Sequence, residues 1–150
     1  MSRDDQLLLN FTFNKNYLEH DFYLSSSNRE AYHQINIWPK WIKRAINIYG
    51  EKFSGKSHLS SIFKKKTNCI KTPSKKITDE IVQDFKNKEA LIIEDLNENI
   101  SEDLLYTILN IVEHENKYLL VTSLKPINEF SAPIISSPCR SLLRIAFAIT

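Results

Sequence analysis

Only two glycines occur in this chain, Gly50 and Gly55, where an average usage of roughly 7% would place several times as many. They stand five residues apart in one segment: Gly50, Glu51, Lys52, Phe53, Ser54, Gly55, Lys56 and Ser57. That segment fits G-x-x-x-x-G-K-[ST] at every required position. A β-rich apolar run, Ala45-Ile-Asn-Ile-Tyr49, precedes it, and a helical pattern from Lys56 to Phe63 follows. Glycine admits positive φ and a close approach of backbone to an anion. Successive N–H groups and the helix N-terminus then face that anion. In such a loop Lys56 reaches the β and γ phosphates and the Ser57 hydroxyl ligates Mg2+. The eight residues read as the phosphate cradle of ATP or ADP.

The rest of the chain alternates strand and helix. Ser27-Asn28 reads as a cap, with a helix from Glu30 to Ile37 that ends before Pro39. After the loop and its helix come a short strand, Asn68–Lys71, and a loop, 72–76. Thr78 caps a helix through Phe85. Ala90-Leu-Ile-Ile-Glu94 has the unbroken apolar character of a strand covered on both faces. Ser101 caps a helix in which Leu104, Leu105, Ile108, Leu109 and Val112 repeat at helical spacing to about Glu115. Tyr118-Leu-Leu-Val-Thr122 is the next strand, and Arg144–Ile149 a fifth. The pattern predicts an α/β, three-layer P-loop fold with a mainly parallel five-stranded sheet. Residues 1–20 read as a polar tail and 21–150 as one nucleotide-binding core.

Composition narrows the partners. The net charge of +2 lacks the strong positive excess usual in a dedicated DNA-binding module and is compatible with a local basic patch. Cys69 and Cys139 cannot build a disulfide framework and read as reduced thiols. The polar start, Met1-Ser-Arg-Asp-Asp-Gln6, is unlike a signal peptide, and no apolar run approaches the ~20 residues that span a bilayer. The expectation is a cytoplasmic protein with no membrane partner.

Two further strand ends carry chemistry. Glu94 and Asp95 close the apolar run beginning at Ala90. Beside a phosphate loop, such acids serve as catalytic residues, one holding Mg2+ with Ser57 and one polarising the attacking water. Glu94 stands where an Asp is usual and is one methylene longer. Thr122 and Ser123 end the next strand and are placed to sense a γ-phosphate through a hydroxyl.

Asp21-Phe-Tyr-Leu-Ser-Ser-Ser-Asn-Arg-Glu-Ala31, Trp38-Pro-Lys-Trp41 and the loop ending in Gly-Lys-Ser-His-Leu59 together resemble the DnaA/Hda branch of AAA+ ATPases, from Gln6 to about Asn128. The Trp-Pro pair and Glu94-Asp95 resemble Hda-type regulators of replication initiation most. On that resemblance Gln6, Leu7, Leu9 and Phe11 form a peptide that binds the DNA polymerase sliding clamp, Gln6 through its amide and the others as apolar anchors. The second partner implied is DnaA, whose bound ATP the protein would help hydrolyse. The family's arginine finger corresponds to the stretch Pro138-Cys-Arg-Ser-Leu-Leu-Arg144, with Arg140 and Arg144 as candidates at altered spacing. The resemblance also implies a helical lid domain after the fifth strand, which the core lacks. No helix-turn-helix follows, so no direct sequence-specific DNA binding is expected. A self-sufficient P-loop kinase and a non-functional remnant of a DnaA-like protein stay open beside this reading.

Overall fold

The computed structural model describes residues 17–130 and 145–150. The clamp-peptide residues Gln6, Leu7, Leu9 and Phe11, the finger candidates Arg140 and Arg144, and Cys139 lie outside them.

Five strands form one sheet: β1 (Ala45–Gly50), β2 (Cys69–Pro73), β3 (Ala90–Leu96), β4 (Tyr118–Ser123) and β5 (Ala146–Ile149). Their spatial order is β2-β3-β4-β1-β5, and every pairing is parallel. Parallel neighbours need crossovers, and helices α1 (Arg29–Ile37), α2 (Lys56–Lys66), α3 (Asp79–Phe85) and α4 (Glu102–His114) provide the covering layers. The three-layer α/β fold expected from the alternation is the fold observed.

The continuous apolar strands follow from that double cover. Along β3, Leu91 and Ile93 face a core shared with α3 and α4, while Ala90 and Ile92 face one shared with α1 and α2. The period of two divides one run of residues between two cores. In α4 the buried stripe is Leu105, Ile108, Leu109, Ile111 and Val112. Ile111 joins the predicted set, and Leu104 packs only partly. Thr78 and Ser101 accept hydrogen bonds from the backbone N–H of Ile81 and Leu104, each at 3.4 Å, as capping residues do.

Three local features differ from expectation. Asn28 precedes α1 but its side chain does not cap it; Oδ1 accepts from Ser25 N–H (2.9 Å) and Nδ2 donates to the Tyr23 carbonyl (2.8 Å). The amide is used to fold the entry loop back on itself. β2 runs on through Thr72 and Pro73, which reads locally as a loop. Because β2 is an edge strand and Pro73 ends it, the missing N–H costs no ladder bond. Finally, Tyr17 to Glu19 pack on α2: the carbonyls of Tyr17 and Leu18 accept from Lys65 Nζ and His58 Nε2, and Lys66 pairs with Glu19.

At the amino-terminal end of β4, Trp38 and Trp41 enclose Phe63 and Tyr118, with ring centroids 5.1–5.8 Å apart. Arg44 lies over Tyr118, 5.0 Å from its ring centre.

Asn47 is fully buried in β1 and joins three segments. Its Nδ2 donates to Val121 O and Ser123 Oγ, and its Oδ1 accepts from Ile127 N–H. Beyond it, Gly50 lies against β5 so closely that a β-carbon there would overlap the Ile149 carbonyl oxygen and stand 3.0 Å from Ser54 Oγ. The glycine is demanded by sheet packing, since of the two glycines only Gly55 has a positive φ (101°). Gly50→Ala must push β5 or the loop aside and is expected to cost about 1–3 kcal/mol of stability. Urea unfolding of the two proteins at equal concentration measures it.

Candidate functional site

The loop between β1 and α2 is arranged around one cation. Lys56 is buried, and its Nζ donates to the carbonyls of Gly50 (2.7 Å) and Glu51 (2.6 Å), with Ser54 Oγ at 3.4 Å. Burial pushes its pKa below the ordinary lysine range, and the negative charge of Asp95 opposes that shift. The turn needs left-handed backbone at two places. Gly55 supplies one, and Phe53, at φ 65°, the other. A side chain there costs on the order of 1–2 kcal/mol, and it points wholly into solvent, 99% exposed.

In front of the loop lies a cavity of about 900 Å³. Lys52 through His58 form one wall, Asp95 to Glu98 a second, and Leu124, Lys125 and Phe130 a third. It stands at the carboxyl ends of β1, β3 and β4, where open α/β sheets gather their ligand sites. Tyr17 adds an aromatic edge, its ring 5.2 Å from that of His58. His58 donates from Nε2 to the Leu18 carbonyl and meets Phe22 edge-on at 5.1 Å. The entry segment is thereby fastened beside the phosphate loop. Across the cavity mouth Lys125 pairs with Glu98 at 2.9 Å.

The two acids ending β3 part company. The pairing of β3 with β4 slips between Ile93 and Leu96, and Asp95 adopts φ 55°. Its N–H donates to Thr122 Oγ1 (3.1 Å) and its carbonyl accepts from Ser74 Oγ (2.8 Å), which hold the irregular turn while the residue lines the cavity. Glu94 does not line it. Glu94 Oε1 accepts from the buried Ser60 hydroxyl (2.7 Å) and pairs with Lys71 Nζ on β2 (3.2 Å). Both side chains of that pair are less than one-fifth exposed.

Of the residues expected at the site, Lys52 to Ser57 and Asp95 are brought together around the cavity. Gly50 and Glu51 do not line it; they reach the site through their carbonyls, which accept from Lys56. Thr122 and Ser123 do not line it: the Thr122 hydroxyl accepts from Asp95, and the Ser123 hydroxyl joins Asn47 to the Lys125 carbonyl. Glu94, expected to share Mg2+ with Ser57, neighbours it through Ser60, whose hydroxyl donates to the Ser57 carbonyl (3.0 Å) as well as to Glu94, and it also pairs with Lys71. As arranged, the Glu94 carboxylate is already matched by an ammonium and a hydroxyl. Tyr17, His58, Asn97, Glu98, Leu124, Lys125 and Phe130 were not read from the sequence as site residues. The rule that ligand sites gather beyond strand carboxyl ends points to the loops after β3 and β4; nothing local marks Tyr17.

No protein-family model matches the chain, nor does any curated protein sequence. Solved structures do. AMPPCP-bound DnaA from Aquifex aeolicus is similar with a TM-score of 0.73 and 19% identity, covering 91% of this chain and 50% of that one. Domain III of the Thermotoga maritima replication initiation protein DnaA gives 0.72 and 17%, covering 91% and 68%. DnaI gives 0.64 and 16%, covering 87% and 86%. The chain thus spans about half the length of the first structures it matches. At such identity these likenesses show the fold alone.

The lowered pKa of Lys56 makes a signed prediction. The unfolded chain holds this proton more tightly than the ligand-free fold. The fold therefore gains stability as pH rises from the folded pKa of Lys56 towards the ordinary lysine value. A bound phosphate favours the ammonium, so phosphate affinity falls over the same alkaline window. Titrations of nucleotide across that range should show the fall in the native protein, and Lys56→Ala should flatten it.

Proposed function

We propose that this chain is a nucleotide-binding module of the DnaA/DnaI-like kind, acting in DNA replication, which holds ATP or ADP on Gly50–Ser57 and hydrolyses it slowly on its own. The observation that carries the reading is Lys56. A buried ammonium group is held on backbone carbonyls at a helix N-terminus, on the wall of a cavity of nucleotide size. A charge kept there at a desolvation cost is matched by an anion.

Slow hydrolysis follows from what surrounds it. Asp95 is the strand-end acid that meets the cavity, whereas Glu94 is tied back. Among the described residues no arginine lines the cavity; Arg44 lies at the start of β1, on Tyr118 and the Asn116 carbonyl. An arginine finger accounts for roughly 10³–10⁵ in the rate of such sites. Arg140 and Arg144 remain the candidates, acting on a neighbouring subunit.

The finer reading is an Hda-like regulator. The Gln6-Leu-Leu-Leu-Asn-Phe11 peptide would dock on the sliding clamp, presenting the core to ATP-bound DnaA and promoting its hydrolysis. Its support is the sequence resemblance, joined by a fold shared with DnaA.

Two experiments test these levels separately. Calorimetric titration with ADP and ATP should give binding that weakens about tenfold or more in Lys56→Ala. Turnover by the chain alone should stay below the roughly 1–1000 per second typical of enzymes. Unchanged affinity in the variant would overturn the site. Replacing Gln6 and Leu9 by Ala should abolish clamp binding in a pull-down with purified clamp while leaving ADP affinity intact; retained clamp binding removes the regulator reading.

A further inference from the structure

The pair Lys71–Glu94 lies against the helix that follows the phosphate loop. Lys71 on β2 is in register with Ile92, and Glu94 is in register with Pro73. The two side chains therefore share one face of the sheet, one diagonal step apart. Glu94, longer than Asp by a methylene, reaches that far: its Oε1 takes the ammonium at 3.2 Å and the Ser60 hydroxyl at 2.7 Å. Lys71 also donates to Ser61 Oγ at 2.9 Å. Ser60 and Ser61 lie on the first turns of α2, so the pair is built into the helix that carries the phosphate loop. At this depth a lone carboxylate is costly, and the tethered ammonium is what balances it.

We propose that Lys71 takes the place of a divalent cation at Glu94, so that nucleotide binding by this chain is independent of Mg2+. The inference rests on the nucleotide-binding reading and deepens it. A metal ion tightens nucleotide binding through the protein groups that attract it and through the phosphate charge it cancels beside protein acids, and the coupling is reciprocal. With Glu94 neutralised internally, the protein withholds that carboxylate from the ion. Charge on the phosphates is met instead by Lys56 and by the N-terminus of α2. Removing the Lys71 charge would restore an uncompensated carboxylate near the phosphates. That carboxylate repels metal-free nucleotide and attracts the metal complex.

The test is calorimetric titration of the full chain with ADP in excess EDTA and in excess magnesium chloride. The two dissociation constants should agree within about threefold. Lys71→Met, which keeps the apolar stem, should separate them by about tenfold or more in favour of magnesium. Glu94→Gln should leave the wild-type ratio in place, and it decides the matter if the Lys71 variant does not fold. Binding of the native chain that improves tenfold or more with magnesium, and loses that gain in Glu94→Gln, would overturn the inference while leaving nucleotide binding established. An unchanged ratio in a folded Lys71→Met would overturn it too. Absence of ADP binding in both buffers would instead overturn the nucleotide-binding reading on which it stands.

Discussion

A lysine ammonium resting on backbone carbonyls is the interaction on which the site depends. Lys56 leaves water to lie on Gly50 and Glu51, and their oxygens stand in for its lost hydration. Much of the loop geometry serves that arrangement. Gly50 lets β1 lie close against β5, and its carbonyl accepts from the lysine. Phe53 accepts an unfavourable backbone conformation so that the turn closes. An arriving anion competes with the protein's own carbonyls for the same ammonium. The net affinity is therefore a difference between two solvations of one charge, smaller than the bare attraction between phosphate and lysine.

The second organising fact is the separation of the two acids at the end of β3. A regular strand would point them to opposite faces, which does not by itself say which one meets the ligand. The slip in pairing with β4 and the left-handed turn at Asp95 decide it. Thr122 and Ser74 hold that turn by hydrogen bonds to its backbone. The polar residues at the end of β4 thus act on the site through the acid, and Asn47 and Ser123 fix the segment carrying Lys125 by the same kind of buried link.

The fold was legible because its signals are local. Unbroken apolar runs of five or six residues announce strands covered on both faces, and Thr78 and Ser101 announce the helices they cap. The loop was legible because two glycines in a glycine-poor chain stand five apart. The allocation of Glu94 was not, since it depends on Lys71, more than twenty residues away and aligned only by the register of β2 on β3. Tyr17 was hidden for the same reason: what places it beside His58 is the packing of an entry segment on α2. Asn28 misled in another way, because an amide able to cap a helix is equally able to fasten the loop before it. Short-range chemistry names a residue's capabilities, and the sheet chooses among them.

The aromatic cluster has an optical consequence. The chain has two tryptophans, and both lie in that cluster, stacked or edge-on with Phe63 and Tyr118 at the start of β4. The phosphate loop lies beyond the other end of β1, and neither indole lines the cavity. Tryptophan emission is thus a reporter of that one corner, sensitive to the docking of α1 and the far end of α2. It is nearly blind to what occupies the loop, so a ligand's arrival has to be watched from the ligand's side, by a labelled nucleotide or by heat.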